Sequence, residues 1–368
     1  MVKKTTKNDA LFLFILAIES IVVKIIFYGL LPRKYRYDSG KILNIMNGNG
    51  LTDKGYSFTA NFYNSIDFLK LTNIYEWSLL IGLIGIIIVF MIIKNKQYTK
   101  PQKIYIISTV FLLNIYTFVL SKEFIQVLFF LLIQLITISN IKTNKKNILI
   151  SIVFLLEALF FRIYYLLIGS VFLFLAMSSS IRKKNIKERS FFFLMIASVL
   201  FLSLEAFILS KISSENYEAL MNARSGANIG RVGDLDAASI INNILPNSNI
   251  FFFFINTVMN FVRLLVPIEL VMKGFFYFPF ILYQIYITIQ LVIFLKNVKT
   301  KIITKDQNVN TMLFVVMAFL IVSAVFEPDF GSFIKHEAAL FIFILPITCY
   351  NNPKITNKKD TNGHQLSI

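Results

Sequence analysis

The chain has 368 residues, of which 56% are hydrophobic and only 15% charged, with a formal net charge of +17. Several apolar runs approach the roughly 20 residues that cross a bilayer core, which excludes a water-soluble fold and predicts a polytopic helical membrane protein. The single cysteine, Cys349, excludes a disulfide framework and a cysteine-based zinc site.

The charge is unevenly spread. Six segments (the N-terminus, 94–103, 141–147, 181–189, 296–306 and the C-terminal tail) hold 22 of the 37 Lys and Arg, against four acidic residues, Asp9, Glu188, Asp306 and Asp360. The rest of the chain is close to neutral. That asymmetry is the positive-inside pattern of a membrane protein, so those segments are expected in the cytoplasm and no nucleic-acid partner is expected.

In chain order, the run Leu11–Leu31 carries Glu19 and Lys24 and lacks a small-residue cleavage site. It reads as a retained first helix, about 10–31, and its two charges as a buried pair or lipid-facing snorkels. Residues 32–76 form a polar external loop with the turn-rich stretch Asn47-Gly48-Asn49-Gly50. Helix 2 (about 77–93) returns. Helices 3 and 4 (about 104–120 and 123–140) form a hairpin closed outside by Ser121-Lys122-Glu123. The run 148–180 has cytoplasmic anchors at both ends, so it is expected to fold as two short helices meeting near Arg162-Ile163-Tyr164-Tyr165. Helix 7 (about 190–210) exits to a second external loop, 211–249, long enough to act as a binding lid. The apolar segment 250–268 cannot be a crossing without reversing the anchors, so it reads as a re-entrant or interfacial helix on the outer side. Helix 8 (about 275–295) returns, and helices 9 and 10 (about 311–326 and 333–350) follow. The expected architecture is an all-α bundle of about ten crossings with both termini cytoplasmic. Residues 1–350 make one integral membrane domain, and 351–368 a disordered tail.

The densest group of ionisable residues is the turn Phe326–Glu337, FEPDFGSFIKHE. Charges at the edge of a bilayer are costly and mark a pathway or a site. His336 titrates nearest neutral pH and is the candidate general base, with Glu327, Asp329 and Glu337 as further catalytic candidates. Lys335 would neutralise a phosphate. Arg263, in an otherwise apolar segment, needs a partner: either a lipid pyrophosphate, or Glu269 or Glu205 internally. Arg162 and Tyr164 stand at the outer tip of a short hairpin with Glu157 nearby. Lys122 with Glu123 is a weaker case, being an ordinary charged tip. Arg224 and Arg231 on the second loop are candidate clamps for an anionic substrate. Asp234-Leu235-Asp236 has the form of a metal-binding triplet but lies outside, where nucleotide sugars are not expected. Gly226–Gly233 lacks the strand and Lys-Ser/Thr of a phosphate loop. No metal or cofactor is expected.

RIYY at 162–165, the arginine-bearing second loop, FVRLLVPIEL at 261–270 and FEPDFGSFIKHEAALFIFILP at 326–346 together resemble Wzy-type bacterial polymerases of oligosaccharide repeat units, particularly the EpsG-like group. The resemblance implies glycosyl transfer at the outer face of the bacterial cytoplasmic membrane, with undecaprenyl-pyrophosphate-linked oligosaccharides as substrates. A flippase and a chain-length regulator would be the protein partners. It further implies that arginines meet the departing pyrophosphate, that His336 or Glu327 deprotonates the acceptor, and that Asp38 positions it. Two alternatives are a lipid-dependent transferase of single sugars and a flippase for lipid-linked oligosaccharides. A flippase should carry polar residues along many helix interiors and internal two-fold similarity, whereas here ionisable residues crowd the outer ends.

Overall fold

A computed structural model describes residues 7–50, 54–94, 97–181, 189–229, 239–247, 249–298 and 307–351. Among them all regular elements are helical, and the only β contact is an isolated antiparallel bridge between Ile240 and Asp329. Arg231, the Asp234-Leu235-Asp236 triplet and the tail beyond Asn351 lie outside the described residues.

Helix α1 (Lys7–Val22) runs through a π-helical turn, Val23–Phe27, into α2 (Tyr28–Leu30). Lys24 lies in that turn and is buried, which demands partners for its ammonium. It donates to the Asn114 carbonyl at 2.6 Å and to the Phe118 carbonyl. The expected pairing with Glu19 is therefore corrected: Lys24 instead satisfies carbonyls left free where a later helix ends.

The first expected loop is not structureless. It contains α3 (Tyr37–Met46) and α4 (Lys54–Ser65), which pack on each other. Helix α5 (Ile74–Ile93) starts at Asn73, whose side chain accepts from the amides of Tyr75 and Glu76. Its buried face carries Trp77, Ile81, Gly82, Gly85, Ile88 and Val89 at helical spacing. A Cβ at Gly85 would lie 2.3 Å from Cγ of the buried Phe118. Overpacking a rigid site costs about 1–3 kcal/mol, so Gly85→Ala is expected to lower the thermal unfolding midpoint in detergent. Gly40→Ala in α3, with nothing within 4 Å of the new Cβ, is the contrasting case and should not.

Helices α6 (Lys100–Tyr116) and α7 (Lys122–Ile138) follow one another but do not pack together as the expected hairpin; α7 packs on α8 (Thr143–Phe160), and α8 on α9 (Tyr165–Ile181). The break expected near Arg162–Tyr165 is present, at residues 161–164. Helix α10 (Arg189–Ile212) leads to α11 (Ser214–Met221) and α12 (Ala223–Ile229), two short helices within the second expected loop. Then come α13 (Ile250–Leu265), α14 (Phe278–Val298) and α15 (Gln307–Phe326). Helix α15 is apolar all round and buried along nearly its whole length, packed against α7, α9, α13 and α17. The last pair is α16 (Phe330–Ala338) and α17 (Phe341–Tyr350).

Two expectations change here. Five helical stretches among the described residues are long and apolar enough to cross a membrane, where the sequence predicts about ten crossings; a bent sixth brings the total to six. Helices α6, α7 and α9, at 17 residues each, are about 26 Å long, short of a core about 30 Å thick. The predicted straight helix 333–350 is instead α16 and α17, bent by 73°.

Hydrogen bonds tie the lysine-bearing ends together. Lys146 donates to the Thr137 carbonyl (2.6 Å) and to Asn308 (2.8 Å), and Gln102 donates to the Thr348 carbonyl at 3.0 Å. Asn351 donates to the Gln290 carbonyl at 2.8 Å. The opposite ends of α7, α8 and α15 carry Glu123, Arg162 and Glu327. These three meet.

Candidate functional site

Each contributing element is fixed locally. Ser121 caps α7, accepting from the Phe124 amide at 3.2 Å. Tyr63 of α4 donates to the Ser121 carbonyl at 2.9 Å and stacks edge-on against Trp77. The start of α7, and with it Glu123, is thereby held against α4 and the start of α5. After α8, the Phe161 and Arg162 amides both bond the Glu157 carbonyl, closing the helix so that Arg162 turns inward. Asp329 caps α16, accepting from the Ser332 amide and hydroxyl at 2.8 Å each. The Ile241 amide bonds the Pro328 carbonyl at 2.9 Å, and the Phe330 amide bonds the Ser239 carbonyl at 3.1 Å. The second loop thus pins this turn in place.

Glu123 is the hub. Its carboxylate is fully buried, and its Oε1 accepts from Arg162 Nη2 at 3.1 Å and lies 3.2 Å from Lys335 Nζ. His336 Nε2 is 3.4 Å from the same oxygen. Lys335 also pairs with Asp38 Oδ2 at 2.7 Å, and Tyr56 donates to Asp38 Oδ1 at 2.5 Å. Burial pushes the Asp38 carboxyl up, but the Lys335 and Lys122 ammoniums and the Lys335 hydrogen bond together outweigh it and hold the group below the usual carboxylate value. Burial and the Asp38 carboxylate both push the Tyr56 hydroxyl up, so Tyr56 stays a donor.

His336 has two engaged nitrogens. Its Nδ1 is 2.7 Å from Glu327 Oε1, and its Nε2 is 2.9 Å from Arg162 Nη1. A guanidinium can only donate, so Nε2 accepts and Nδ1–H donates to Glu327. In the neutral ring the proton is therefore on Nδ1. Arg162 Nη1 also donates to the Tyr164 hydroxyl at 2.8 Å, and the Tyr164 ring stacks on Phe326. Glu123 Oε2 and Glu327 Oε2 are buried and have no hydrogen-bond partner among the described residues, so each can accept one donor more.

The structure therefore brings together His336, Glu327, Lys335, Arg162, Tyr164, Lys122 and Asp38 of the predicted residues. It does not bring the others. Glu337, next to His336 on the helix, faces the opposite way, accepting from Gln284 Nε2 at 3.1 Å deep in the bundle. Asp329 works as a helix cap. Arg263 makes a two-pronged ion pair with Glu269 (2.8 and 2.9 Å) and donates to the Asn242 carbonyl at 2.6 Å. Its partner is internal, as one of the two readings expects. Arg224 is buried under the end of α15, donating to the Ala324 carbonyl at 2.6 Å and to Asn243 at 3.2 Å. Arg162 pairs with Glu123, and Glu157, its expected neighbour, makes no side-chain hydrogen bond among the described residues.

Two members escaped the sequence reading. Tyr56 has no signal of its own in a polar loop. Glu123 was visible only as half of a charged hairpin tip. No group of three or more His, Cys, Asp or Glu among the described residues is arranged to hold a metal ion. Comparison with protein-family models, with curated proteins and with solved structures finds no match to this chain.

Proposed function

We propose that the chain is a multi-pass polymerase of the cytoplasmic membrane that joins lipid-diphosphate-linked oligosaccharide repeat units at the outer face. One observation carries this reading: a His336–Glu327 pair meets Arg162, Lys335, Glu123 and Asp38 at one end of an apolar helical bundle. The described lysines of 97–103 and 141–147 lie at the other end, which the positive-inside rule assigns to the cytoplasm. A substrate met at the outer end has no nucleotide to activate it, so it must carry its own leaving group. A lipid diphosphate does.

In the proposed reaction the acceptor hydroxyl attacks the anomeric carbon of the donor glycan. The bond from that carbon to the diphosphate breaks, and the electron pair leaves with the phosphate oxygen. His336 Nε2 takes the acceptor proton once that hydroxyl replaces Arg162 beside it. Glu327 holds the ring through Nδ1–H and stabilises the imidazolium that forms. Arg162 and Lys335, kept in place by Glu123 and Asp38, set fixed positive charge where negative charge develops. The second oxygens of Glu123 and Glu327 accept sugar hydroxyls.

The test is reconstitution of the full chain in nanodiscs with a synthetic lipid-diphosphate-linked repeat unit. The expected product is a ladder of repeat lengths, with one lipid diphosphate released per bond. Extension by one sugar from a lipid monophosphate donor would identify a single-sugar transferase instead. Movement of the lipid between leaflets with no new bond would identify a flippase.

A further inference from the structure

We propose that Lys41 and Lys122 form the subsite for the diphosphate of a lipid-borne substrate, with the ring of Tyr56 between their two helices as its platform. The ligand's identity rests on the glycosyl-transfer reading above; the existence of an anion site there does not.

Lys41 Nζ stands 3.9 Å from the centroid of the Tyr56 ring, and Lys122 Nζ stands 3.8 Å from the same centroid. The two ammoniums come from separate elements, α3 and the first residue of α7, and can be no farther apart than the sum of those distances. A cation–π contact orients an ammonium without using any of its three N–H donors. Neither lysine makes a hydrogen bond or ion pair among the described residues, so six donors remain available beside one ring. Both side chains are half-buried, held in place yet reachable. Two like charges drawn to one ring repel, and a bound polyanion relieves that repulsion.

The neighbouring cations are differently placed. Arg162 is engaged by Glu123, Tyr164 and His336, and Lys335 by Asp38 and Glu123. Without the lysine pair the cluster holds three carboxylates (Asp38, Glu123 and Glu327) against two fixed cations. With it the balance turns positive, and the surplus lies at Tyr56. The platform itself is anchored, because the Tyr56 hydroxyl donates to Asp38. A ligand there would sit one residue pair away from the hub, since Lys122 adjoins Glu123 in the chain. Helix α3 also argues for a lipid-borne anion: Tyr37, four positions before Lys41 and on the same helix face, is 69% exposed. Leu30, at the end of α2, is 77% exposed. Both stand exposed in the segment that leads into Lys41, and that surface is the one assigned to the lipid's apolar chain.

The experiment is equilibrium binding of a radiolabelled long-chain prenyl diphosphate to the full chain in phosphatidylcholine nanodiscs. Lys41→Gln and Lys122→Gln are each expected to weaken binding about tenfold, the loss of one charge-assisted phosphate contact, and the double variant more than either. Lys41→Arg with Lys122→Arg should retain it, which separates lost charge from lost folding. Raising salt should weaken it, as for any half-exposed charge pairing. Wild-type affinity in a folded Lys41→Gln/Lys122→Gln variant would overturn the assignment. Equal displacement by phosphatidylglycerol would overturn it in favour of bulk lipid headgroups, and equal displacement by inorganic pyrophosphate in favour of a free anion. Lysine-dependent binding without any polymer ladder would sink the glycosyl-transfer reading and leave the subsite standing.

Discussion

Replacing Glu123 with alanine is expected to give the largest loss of stability of any single change in this protein. Two cations, Arg162 and Lys335, converge on one oxygen of its fully buried carboxylate. Removing the anion leaves two cations facing each other with side chains no more than 20% exposed. Breaking a buried ion network from one side costs about 3–5 kcal/mol, because the stranded charge has been taken out of water without compensation. Glu123→Gln separates the causes. Its carbonyl oxygen can still accept at the Oε1 position, so shape and some hydrogen bonding persist while the charge is lost. The expected order of thermal unfolding midpoints in detergent is wild type, then Glu123→Gln, then Glu123→Ala. Adding Lys335→Met to Glu123→Gln removes one of the stranded cations and should recover part of the loss, a coupling that only contacting residues show. A Glu123→Ala protein that unfolds with the wild type would show the network to be idle.

That hub also marks how far the sequence alone reaches. Helix identity followed from apolar runs, and the break at 161–164 followed from basic anchors on both sides of a run too short for two full spans. The clustering of Glu327, Lys335 and His336 was legible because all three lie within one turn of sequence. Partner choice was not. Arg162 has Glu157 five residues away, yet its carboxylate comes from α7, 39 positions earlier in the chain. Nothing local marks that pairing, because it depends on how α7 and α8 pack. Arg263 is the converse case: Glu269, six residues on, is its partner, and a turn of 3₁₀ helix at Ile268–Lys273 brings the two together. The bend between α16 and α17 was hidden too. It falls at Ala339-Leu340, with neither glycine nor proline to announce it, and Pro346 lies inside α17 beyond it. The bend has a visible consequence. It lets α16 carry Lys335 and His336 across to Asp38 and Glu123 while α17 stays apolar against α15.

Replacing His336 is expected to abolish chemistry while sparing ligand binding, and the contrast with Glu327 tests its assigned role. The tautomer puts the proton on Nδ1 facing Glu327, leaving Nε2 as the only basic lone pair on the ring. Loss of a positioned general base typically costs about 10²–10⁴ in rate, so His336→Ala should lower release of lipid diphosphate by that range. Affinity for a prenyl diphosphate should change little, because the lysine pair at Tyr56 is untouched. Glu327→Gln is subtler. Its amide oxygen can still accept from Nδ1–H, so the ring keeps its orientation, but no negative charge faces the imidazolium formed in the transition state. The rate should therefore fall less than in His336→Ala, with the unfolding midpoint close to wild type. If the two variants instead lost stability together and kept more than a tenth of the wild-type rate, the pair would be a structural tie and the base would have to be sought elsewhere. His336→Ala also frees Arg162 Nη1 from Nε2. Restoring rate with added imidazole would refill that position with a basic nitrogen, and no purely structural role predicts such a rescue.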